Sequence, residues 1–494
     1  MYLLGYDLGS SSVKASIIEA GTGKCLASAF HPKEEMRMIA NQPGWAEQEP
    51  ASWWENAKLA TRDVIKMVPD TKGNIQAIGV SYQMHGLVLI DKNKKVLRPS
   101  IIWCDSRAVE TGNQAFEAIG KEKCLASLLN SPGNFTASKL KWVKDNEPGI
   151  YDKIYKIMLP GDYLAMVLTD EICTTASGLS EGIFWDFRKN EVSDLIMKHY
   201  GFEHDFIPDV VPTFSSQGNL TSSAAEELGL TPGIPVAYRA GDQPNNAFSL
   251  NVLNPGEVAA TAGTSGVVYG VSDETKYDPF SRVNTFAHVN HLMEGTRLGV
   301  LLCINGTGIM NSWTKQNMAS TLSYEEMNRL AEVIEPGSEN LQVFPFGNGA
   351  ERMLNNKDTG CQVNGLNFNI HNRSHFIRAE QEGIVFSFKY GMEIMEQTGI
   401  VPQVIRAGNA NMFLSPVFRE SLASLTGATI ELYNTDGSQG AARGAGIGAG
   451  IYKNTGEAFE NLEILGEISP SADLQNKLDG AYQNWKKQLV KLIQ

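Results

Sequence analysis

A short stretch near the start of the sequence combines an acid, a glycine and a run of hydroxyl residues. Asp7 ends the strand-like run YLLGYDLG, and four small residues follow it: Gly9, Ser10, Ser11 and Ser12. A tight turn of small residues exposes consecutive backbone N–H groups, which form a concave anion site together with the serine hydroxyls. Asp7 lies just before the turn, where its carboxylate can hold Mg²⁺ through water molecules. The stretch therefore predicts one half of a binding site for a polyphosphate.

A second glycine–hydroxyl turn of the same kind lies in the other half of the chain. It joins two strand-like runs within EVAATAGTSGVVYGV and consists of Gly263, Thr264, Ser265 and Gly266. Two such turns indicate two related domains that face each other and hold a polyphosphate between them. The alternative is two unrelated hairpin turns, because glycine and serine are common in any turn.

A second acid, Asp242, lies in the stretch AYRAGDQPNNAFSL (237–250), between a strand-like run and a helical pattern. Its position predicts a helix N-cap, with Pro244 tolerated in the first turn. The simplest role for such a residue is capping alone. The alternative is a general base for a substrate hydroxyl, with a pKa that the helix N-terminus lowers. Phosphoryl transfer tolerates a weak base, because its loose transition state depends mainly on position and charge neutralisation.

Two further loops carry polar residues at strand ends, where side chains often line a cleft. The first, SYQMHGLVL (81–89), contains Met84 and His85, and the second, IIWCDSR (101–107), contains Trp103 and Asp105. For the first loop, the alternative to a ligand contact is a structural role, in which His85 forms hydrogen bonds only with neighbouring residues. In the second loop, Trp103 offers an apolar face, and Asp105 and Arg107 could bind hydroxyls. Asp105 and Arg107 could equally form a structural ion pair.

Several other kinds of active site are disfavoured because their sequence motifs are absent. The sequence has no G-x-x-x-x-G-K-[ST] motif, no H-R-D catalytic loop and no H-E-x-x-H metal site. GLSEG (178–182) matches the G-x-S-x-G turn of hydrolases, but that turn needs a buried strand before it and a helix after it. Polar residues precede this match and an aromatic run follows it, so we interpret it as a chance match.

Length and composition are those of a soluble globular protein with two domains. The chain has 494 residues, of which 42% are apolar and 20% charged, and its formal net charge is −13. The acidic balance argues against a nucleic-acid partner. We expect a cytoplasmic protein without a membrane partner, because we find no signal peptide and no apolar run of about 18 residues. Six scattered cysteines without a C-x-x-C pair fit free thiols and argue against a zinc site.

Alternating strand and helix patterns place the chain in the α/β class. The runs YLLGYDLG, VKASIIEA and CLASAFH open the chain as a meander. Residues 51–68 have helical spacing, and residues 74–97 predict a strand, a loop and a second strand. The glycine- and alanine-rich segment at 440–452 predicts a tightly packed helix.

Together these motifs resemble the FGGY family of carbohydrate kinases over nearly the whole chain. The most specific match is NFTASKLKWVKDN (134–146), which is similar to an aromatic-Thr-x-x-Lys-Leu-x-Trp run of the family. YDLGSSSVK resembles the first phosphate hairpin of the family, AGTSGV the second, and AGDQ the catalytic loop. SPVF (415–418) and GAAR (440–443) resemble segments near the adenine site.

The resemblance implies an α/β fold with two actin/hexokinase/Hsp70-like (ribonuclease H-like) domains and a cleft between them. We expect the domains at residues 1–245 and 246–494. The resemblance leaves open whether the C-terminal helix (474–494) packs back on the first domain. Family members are often dimers, so a homodimer is implied as well.

The resemblance also implies roles for individual residues, with ATP and Mg²⁺ as cofactors. Asp242 is the expected base that deprotonates the substrate hydroxyl, and Asp7 and Asp242 are the expected metal ligands. The residues expected to contact the sugar are Met84, His85, Trp103, Asp105, Asp242 and Gln243. Those expected to contact ATP and its phosphates are Gly9, Ser10, Ser11, Ser12, Lys14, Gly263, Thr264, Ser265, Gly306, Gly408 and Asn411.

Within the family, QMHG (83–86) resembles the xylulose kinases, so the expected reaction is ATP-dependent phosphorylation of D-xylulose to D-xylulose 5-phosphate. Two departures keep alternatives open. Gln243 follows the catalytic acid as in glycerol kinases, which favours a different ketose or a polyol, such as ribulose or glycerol. The triple-glycine adenine loop of the family is reduced to Gly408 in RAGNANMFLSP (406–416). A sugar-binding protein without turnover is therefore the remaining alternative.

Overall fold

The strands and helices of residues 1–251 follow the sequence patterns closely. The computed structural model describes residues 1–293 and 295–494; it contains the predicted opening meander, and the helix predicted at 51–68 begins at Pro50. The strands are β1 (Tyr2–Leu8), β2 (Val13–Glu19), β3 (Cys25–His31), β4 (Glu47–Gln48), β5 (Ile75–Tyr82), β6 (Val88–Ile90), β7 (Ser100–Ile101), β8 (Lys156–Met158), β9 (Cys173–Thr175), β10 (Trp185–Asp186), β11 (Glu191–Val192), β12 (Asp209–Val211) and β13 (Val236–Gly241). The helices are α1 (Pro50–Met67), α2 (Val109–Ile119), α3 (Lys121–Leu128), α4 (Thr136–Asn146), α5 (Pro148–Tyr151), α6 (Pro160–Thr169), α7 (Ala176–Glu181), α8 (Asp194–Tyr200), α9 (Ser222–Leu228) and α10 (Asp242–Ser249).

Five strands of this region form one sheet in the order β13-β5-β1-β2-β3. β1 is antiparallel to β2 and parallel to β5, and β13 is also parallel to β5. Because β1 and β13 run in the same direction, their carboxyl ends lie at the same edge of the sheet, where ligands commonly bind in open α/β sheets. Asp7 near the end of β1 and Asp242 directly after β13 are therefore brought to one edge.

Residues 252–494 also alternate strands and helices. The strands are β14 (Glu257–Ala262), β15 (Gly266–Ser272), β16 (Asn284–Ala287), β17 (Leu298–Ile304), β18 (Gln342–Phe346), β19 (Gly360–Asn364), β20 (Val404–Gly408), β21 (Thr429–Tyr433) and β22 (Ile464–Ile468). The helices are α11 (Gly308–Asn317), α12 (Tyr324–Glu332), α13 (Arg373–Glu396), α14 (Pro416–Thr426), α15 (Gly437–Gly448), α16 (Thr455–Phe459) and α17 (Ala472–Leu492).

The second sheet repeats the arrangement of the first. Its order is β16-β17-β15-β14-β20-β21-β22. β14 is antiparallel to β15 and parallel to β20, and β20 is parallel to β21. β14 therefore corresponds to β1, and the turn at 263–265 corresponds to the turn at 9–12. The shared topology agrees with the prediction of two similar domains rather than with two unrelated hairpins.

The chain divides into two compact units that are discontinuous in sequence. The first consists of Met1–Asn251, Phe286–Leu298 and Thr435–Leu462, and the second of Val252–Thr285, Gly299–Asn434 and Glu463–Gln494. This differs from the expected division after residue 245, because two later segments pack in the first unit.

Close backbone packing explains why residues 435–462 join the first unit. α15 lies directly on β1 and β5, where Gly5 and Gly79 have no side chains. A Cβ on Gly5 would lie 1.9 Å from the carbonyl oxygen of Ser438, and one on Gly79 would lie 2.0 Å from that of Ala441. A glycine inside a strand often marks such an approach by another backbone.

The C-terminal helix α17 belongs to the second unit. The buried Trp485 ring stacks on Phe344 with ring centroids 5.1 Å apart, and its Nε1 donates a hydrogen bond of 2.9 Å to the carbonyl oxygen of Val343. The segment that rejoins the first unit is thus 435–462 and not the terminal helix. In the described part of the chain, no helix combines the length and the apolar composition that crossing a membrane requires.

Candidate functional site

Asp7 is held at the carboxyl edge of the first sheet by two neighbours. The Ser81 hydroxyl in β5 donates a hydrogen bond of 2.9 Å to Asp7 Oδ1. On the other side, the first turn of α15 approaches so closely that a Cβ on Gly437 would lie 2.4 Å from Asp7 Oδ2. Burial raises the pKa of the Asp7 carboxyl, and the hydrogen bond from Ser81 opposes this. A glycine at 437 is therefore required to bring the helix end this close to the carboxylate.

A third acid, Asp436, caps α15 next to Asp7. Asp436 Oδ1 accepts a hydrogen bond of 3.1 Å from the backbone N–H of Gln439, and Oδ2 lies 2.7 Å from Lys14 Nζ. Burial acts to raise the pKa of Asp436, but Lys14 and the capping hydrogen bonds hold it below its usual value. Lys14, which was expected to contact ATP, is thus ion-paired here and keeps 35% of its side chain exposed.

Asp242 is the first residue of α10, and Gly241 at the end of β13 is the N-cap residue. The prediction that Asp242 caps the helix is therefore wrong by one position. Burial, followed by the nearby charge of Asp7, raises the pKa of Asp242 from 3.8 to about 7, and hydrogen bonds from Gln243 oppose this. The expected lowering of this pKa is also wrong, because the loss of water outweighs the effect of the helix N-terminus. A carboxyl group that titrates near neutral pH suits general base catalysis.

The carboxylates at this edge fit a divalent cation such as Mg²⁺. The charge of Asp7 contributes to the raised pKa of Asp242, so the two carboxyl groups interact electrostatically at this edge. Among residues 1–293 and 295–494, no three His, Cys, Asp or Glu side chains cluster in a way that would hold a metal by themselves. Mg²⁺ usually keeps several waters and binds one or two carboxylates together with substrate phosphates. The pair thus fits an ion that arrives with a nucleotide.

The first glycine–hydroxyl turn is open to ligands. The N–H of Gly9 donates a hydrogen bond of 2.9 Å to the carbonyl oxygen of Ser12, which closes the hairpin. Ser11 is exposed, and Gly9, Ser10 and Ser12 are partly exposed. Trp103 Nε1 lies 3.3 Å from Ser10 Oγ, and the Trp103 side chain is 53% exposed. The predicted phosphate turn and the predicted aromatic face are therefore neighbours.

The loop after β5 carries Met84 and His85 and packs against Gly241, the residue before Asp242. Met84 is buried against Gly241, where an added Cβ would lie 2.6 Å from Met84 Cγ. His85 has φ +61°, a conformation that is uncommon for residues other than glycine. Its Nδ1 lies 3.0 Å from the carbonyl oxygen of Glu181. Met84 thus lies beside the residue that precedes Asp242, and His85 follows Met84 in the same loop.

The run FTASKLKW explains how this loop is positioned. Phe135 packs edge-on against the His85 ring, with ring centroids 4.7 Å apart. Lys139 in α4 is fully buried, and its Nζ donates to the carbonyl oxygens of His85 at 2.8 Å and Ile102 at 2.9 Å. Burial lowers the pKa of Lys139 to about 7. The run therefore ties the two predicted site loops, 81–89 and 101–107, to each other.

Asp105 does not fit the expectation of a sugar contact. It is fully buried, and its Oδ2 accepts a hydrogen bond of 2.6 Å from the N–H of Ala46 and lies 2.7 Å from Arg107 Nη2. Arg107 also pairs with Glu47 at 2.6 Å and stacks on the Trp45 ring at 3.8 Å. This is the structural ion pair given as the alternative, so Asp105 supports the loop from inside.

Glu181, a buried acid beside the loop of Met84 and His85, was not predicted from the sequence as a site residue. It is 1% exposed, and its Oε2 lies 3.9 Å from His85 Nδ1 and 3.0 Å from a Cβ placed on Gly241. Burial raises the pKa of Glu181 well above its usual value, and the charge of Asp242 adds to this, while Tyr82 opposes it.

The chance match to G-x-S-x-G drew attention to Ser180 instead of its neighbour Glu181. The Ser180 hydroxyl is buried within α7, donates to the carbonyl oxygen of Ser177 at 2.7 Å, and accepts from the N–H of Ala287 at 2.9 Å. The hydroxyl is therefore not accessible as a nucleophile, which agrees with the interpretation of this motif as a chance match.

In the second unit, the corresponding turn lines a pocket of about 400 Å³. Thr264 and Ser265 are exposed. The N–H groups of Gly308 and Ile309 at the start of α11 donate to the carbonyl oxygens of Gly263 at 2.9 Å and Thr264 at 3.0 Å, which fixes the turn to the helix. The other residues that line the pocket are Ala262, Asn311, Ser312, Tyr324, Asn328, Asn411, Met412, Leu414 and Ser415.

Three more residues were expected to contact the nucleotide, and one of them, Asn411, lines this pocket. Gly306 is buried, its N–H donates to Glu351 Oε1 at 3.0 Å, and an added Cβ would lie 1.6 Å from the carbonyl oxygen of Pro345. Gly306 thus serves close packing. Gly408 ends β20 outside the pocket lining. The tyrosine and amides of α11 and α12 in this pocket were missed because such residues are common on any exposed helix.

Both halves of the chain match one family of enzymes. Residues 2–249 match the N-terminal domain of the FGGY family of carbohydrate kinases, and residues 258–451 match its C-terminal domain. The chain belongs to this family. The resemblance noted in the sequence and the expected two-domain α/β fold are confirmed, and the chain is a carbohydrate kinase by family.

Curated relatives and a solved structure cover almost the full length. The xylulose kinase of Escherichia coli (strain K12) is 28% identical over 95% of this chain and 93% of the relative. The xylulose kinase of Staphylococcus epidermidis (strain ATCC 35984) is 30% identical over 99% of this chain and 97% of the relative. The crystal structure of a xyloylose kinase from Brucella ovis is 26% identical, with a TM-score of 0.88, and covers 100% of this chain and 99% of that one.

Proposed function

We propose that this FGGY kinase transfers the terminal phosphoryl group of ATP to D-xylulose, giving ADP and D-xylulose 5-phosphate. The observation that carries the proposal is the pair Asp7 and Asp242 at one edge of the first sheet, next to the loop with Met84 and His85. Relatives named xylulose kinase align with nearly the whole chain, which supports the choice of sugar.

Asp242 is the proposed general base. In the reaction it accepts the proton of the sugar hydroxyl while that oxygen bonds to the γ-phosphorus and the bond from phosphorus to the bridging oxygen of ADP breaks. A base with a pKa of about 7 is about half ionised at neutral pH and is basic enough to take the proton. The loose transition state of phosphoryl transfer adds a requirement for position, which the start of α10 supplies.

Asp7 and Asp242 are the residues that we propose to hold Mg²⁺. When bound, Mg²⁺ would neutralise charge on the phosphate oxygens. Ser81 and the first turn of α15 fix the Asp7 carboxylate from two sides. The two glycine–hydroxyl turns are proposed to bind phosphate oxygens through their N–H groups and hydroxyls.

The sugar contacts combine apolar and polar groups. Trp103 and Met84 offer apolar surface to the carbon chain of the sugar. His85 and Gln243 are proposed to hydrogen-bond its hydroxyls. Lys139 and Phe135 hold the His85 loop in place from beneath. Asp105, which was expected to contact the sugar, is left out of this set because its carboxylate is buried in an ion pair.

A second candidate is a kinase for another ketose or for a polyol. Gln243 favours it, because glutamine follows the catalytic acid in glycerol kinases, whereas xylulose kinases usually have asparagine there. The side chain at 243 lies directly next to the proposed base and is partly exposed, so it is well placed to change the preferred sugar.

A substrate panel tests the proposal. ADP release from MgATP is followed by a coupled assay with D-xylulose, L-xylulose, D-ribulose, L-ribulose and glycerol. We expect the highest kcat/KM with D-xylulose. A clear preference for another sugar of the panel would support the second candidate. If no sugar of the panel leads to ADP release, the kinase proposal is contradicted and a sugar-binding protein is favoured.

A further inference from the structure

The second glycine–hydroxyl turn is held in place by the start of α11. The N–H groups of Gly308 and Ile309 donate to the carbonyl oxygens of Gly263 at 2.9 Å and Thr264 at 3.0 Å. The approach is tight, because a Cβ on Gly308 would lie 2.2 Å from the carbonyl oxygen of Gly263. The position of the turn therefore depends on the segment that leads from β17 into α11, residues 305–309.

A buried carboxylate holds this segment from the other side. Glu351 is fully buried, and its two oxygens accept hydrogen bonds from successive backbone N–H groups, at 3.1 Å from Asn305 and 3.0 Å from Gly306. Successive N–H groups that point at one anion form a binding concavity. Burial raises the pKa of Glu351 to about 7, and these two hydrogen bonds oppose this. The backbone at 305–306 is thus fixed by an acid that folding has removed from water.

Glu351 is carried by a loop that is itself anchored. Its N–H donates to the carbonyl oxygen of Lys357 at 3.0 Å, and its carbonyl oxygen accepts from the N–H of Asn356 at 2.9 Å. Asn305 adds a second link to this loop, from its Nδ2 to the carbonyl oxygen of Ala350 at 2.8 Å. A buried charge is costly unless it is well hydrogen-bonded, and hydrogen bonds to a charged acceptor are stronger than those to a neutral one. A carboxylate at this position therefore holds the backbone at 305–306 more firmly than a neutral side chain would.

We propose that Glu351 positions the second glycine–hydroxyl turn for the phosphates of ATP. This inference rests on the proposed kinase function, in which that turn binds phosphate oxygens. Glu351 is buried and does not itself meet the ligand, so it is a positioning residue that acts in two steps. Its carboxylate holds residues 305–306, and residues 308–309 then hold the carbonyl groups of the turn. Removing this support should weaken phosphate binding and leave the sugar site unchanged, because the loop of Met84 and His85 belongs to the first unit.

Isothermal titration of the full chain with MgATP tests the proposal. Glu351→Gln keeps the shape of the side chain, but its amide nitrogen faces one of the two N–H groups and cannot accept from it. We expect the Kd for ATP to rise about 10-fold, the usual effect of losing one hydrogen bond to a charged group. In the ADP assay, the KM for ATP should rise by the same factor while the KM for the sugar is unchanged. Asn305→Ala removes only the link to Ala350 and should raise the Kd roughly 3-fold, so it carries the test if Glu351→Gln does not fold.

A matched control separates positioning from a general loss of stability. Glu382 is another buried acid of the second unit that holds a different turn, where it accepts from the N–H of Gly337 at 2.9 Å and from the hydroxyl of Ser338 at 2.8 Å. Glu382→Gln and Glu351→Gln should both unfold at a lower temperature than the wild type, but only Glu351→Gln should lose affinity for ATP. An unchanged Kd for ATP in both Glu351→Gln and Asn305→Ala, or an equal rise in Glu382→Gln, would overturn this inference alone. Failure of the wild type to bind ATP would overturn the kinase proposal as well.

Discussion

Replacing Asp242 with asparagine should remove activity and at the same time stabilise the protein. Burial and the charge of Asp7 raise the pKa of Asp242 from 3.8 to about 7. Between these two pH values, the folded protein binds one proton at this carboxyl that the unfolded chain has lost. The contribution of Asp242 to stability is therefore fully present below about pH 4, falls as the pH rises to about 7, and is constant above it.

The size of the effect follows from the shift. Three pH units correspond to about 4 kcal/mol, and the carboxyl is partly exposed, so we expect about 2 kcal/mol after allowing for solvent. Asparagine does not titrate. Asp242→Asn should thus unfold several degrees above the wild type at pH 8, at roughly 2 °C per kcal/mol for a unit of this size, and should lose this advantage near pH 4.

Thermal unfolding of the metal-free and nucleotide-free protein at pH 4.5, 6 and 8 measures the stability, and the ADP assay measures turnover. Turnover should fall about 1,000-fold, the middle of the range for loss of a positioned general base. Asp152→Asn, at an exposed position, is the matched control and should change neither quantity. A variant with the same stability difference at every pH, or with near-normal turnover, would refute the buried-base argument.

Two further substitutions separate the catalytic edge from its support. Gly437→Ala should lower kcat roughly 100-fold, because its Cβ would lie 2.4 Å from Asp7 Oδ2 and must displace the carboxylate by about 1 Å. Gly480→Ala is the control, because its Cβ would meet nothing within 4 Å. It should leave kcat unchanged and stabilise α17 by up to about 1 kcal/mol. An unchanged kcat for Gly437→Ala would show that the position of Asp7 is not critical. Asp105→Asn should lower the free energy of unfolding by about 3 kcal/mol, because Arg107 would keep a buried charge with fewer partners. The KM for the sugar should be unchanged. A raised KM with normal stability would indicate instead that Asp105 contacts the sugar. Below pH 7, kcat/KM of the wild type should fall about tenfold per pH unit as Asp242 takes up its proton, and a flat profile from pH 5 to 8 would contradict this.

The local structure of the chain could be predicted from short patterns. Both hairpins form where an acid or apolar run meets a glycine–hydroxyl turn, as predicted. The parallel pairing of β1 and β13 with β5, which brings Asp7 and Asp242 to one edge, was not predicted. The same patterns could not show that residues 435–462 join the first unit, because that depends on contacts far apart in the sequence. Gly5 and Gly79 inside strands were the available signal, since they permit the approach of α15.

The site was predicted less completely than the fold, for reasons that concern burial. The pKa of Asp242 depends on how much water reaches it, which sequence position does not reveal, and so its direction was misjudged. Asp105 could be either a ligand or a structural partner, and full burial decides for the ion pair with Arg107. Glu181 was hidden inside a motif that suggested a different residue.

The most direct test of the central claim is the identity of the product. The wild-type chain is incubated with MgATP and D-xylulose, and the mixture is followed by phosphorus and carbon NMR. The account predicts one new phosphate ester, on carbon 5 of the sugar, formed in equal amount to ADP. ADP accompanied only by inorganic phosphate, an ester on another carbon, or no reaction would contradict it.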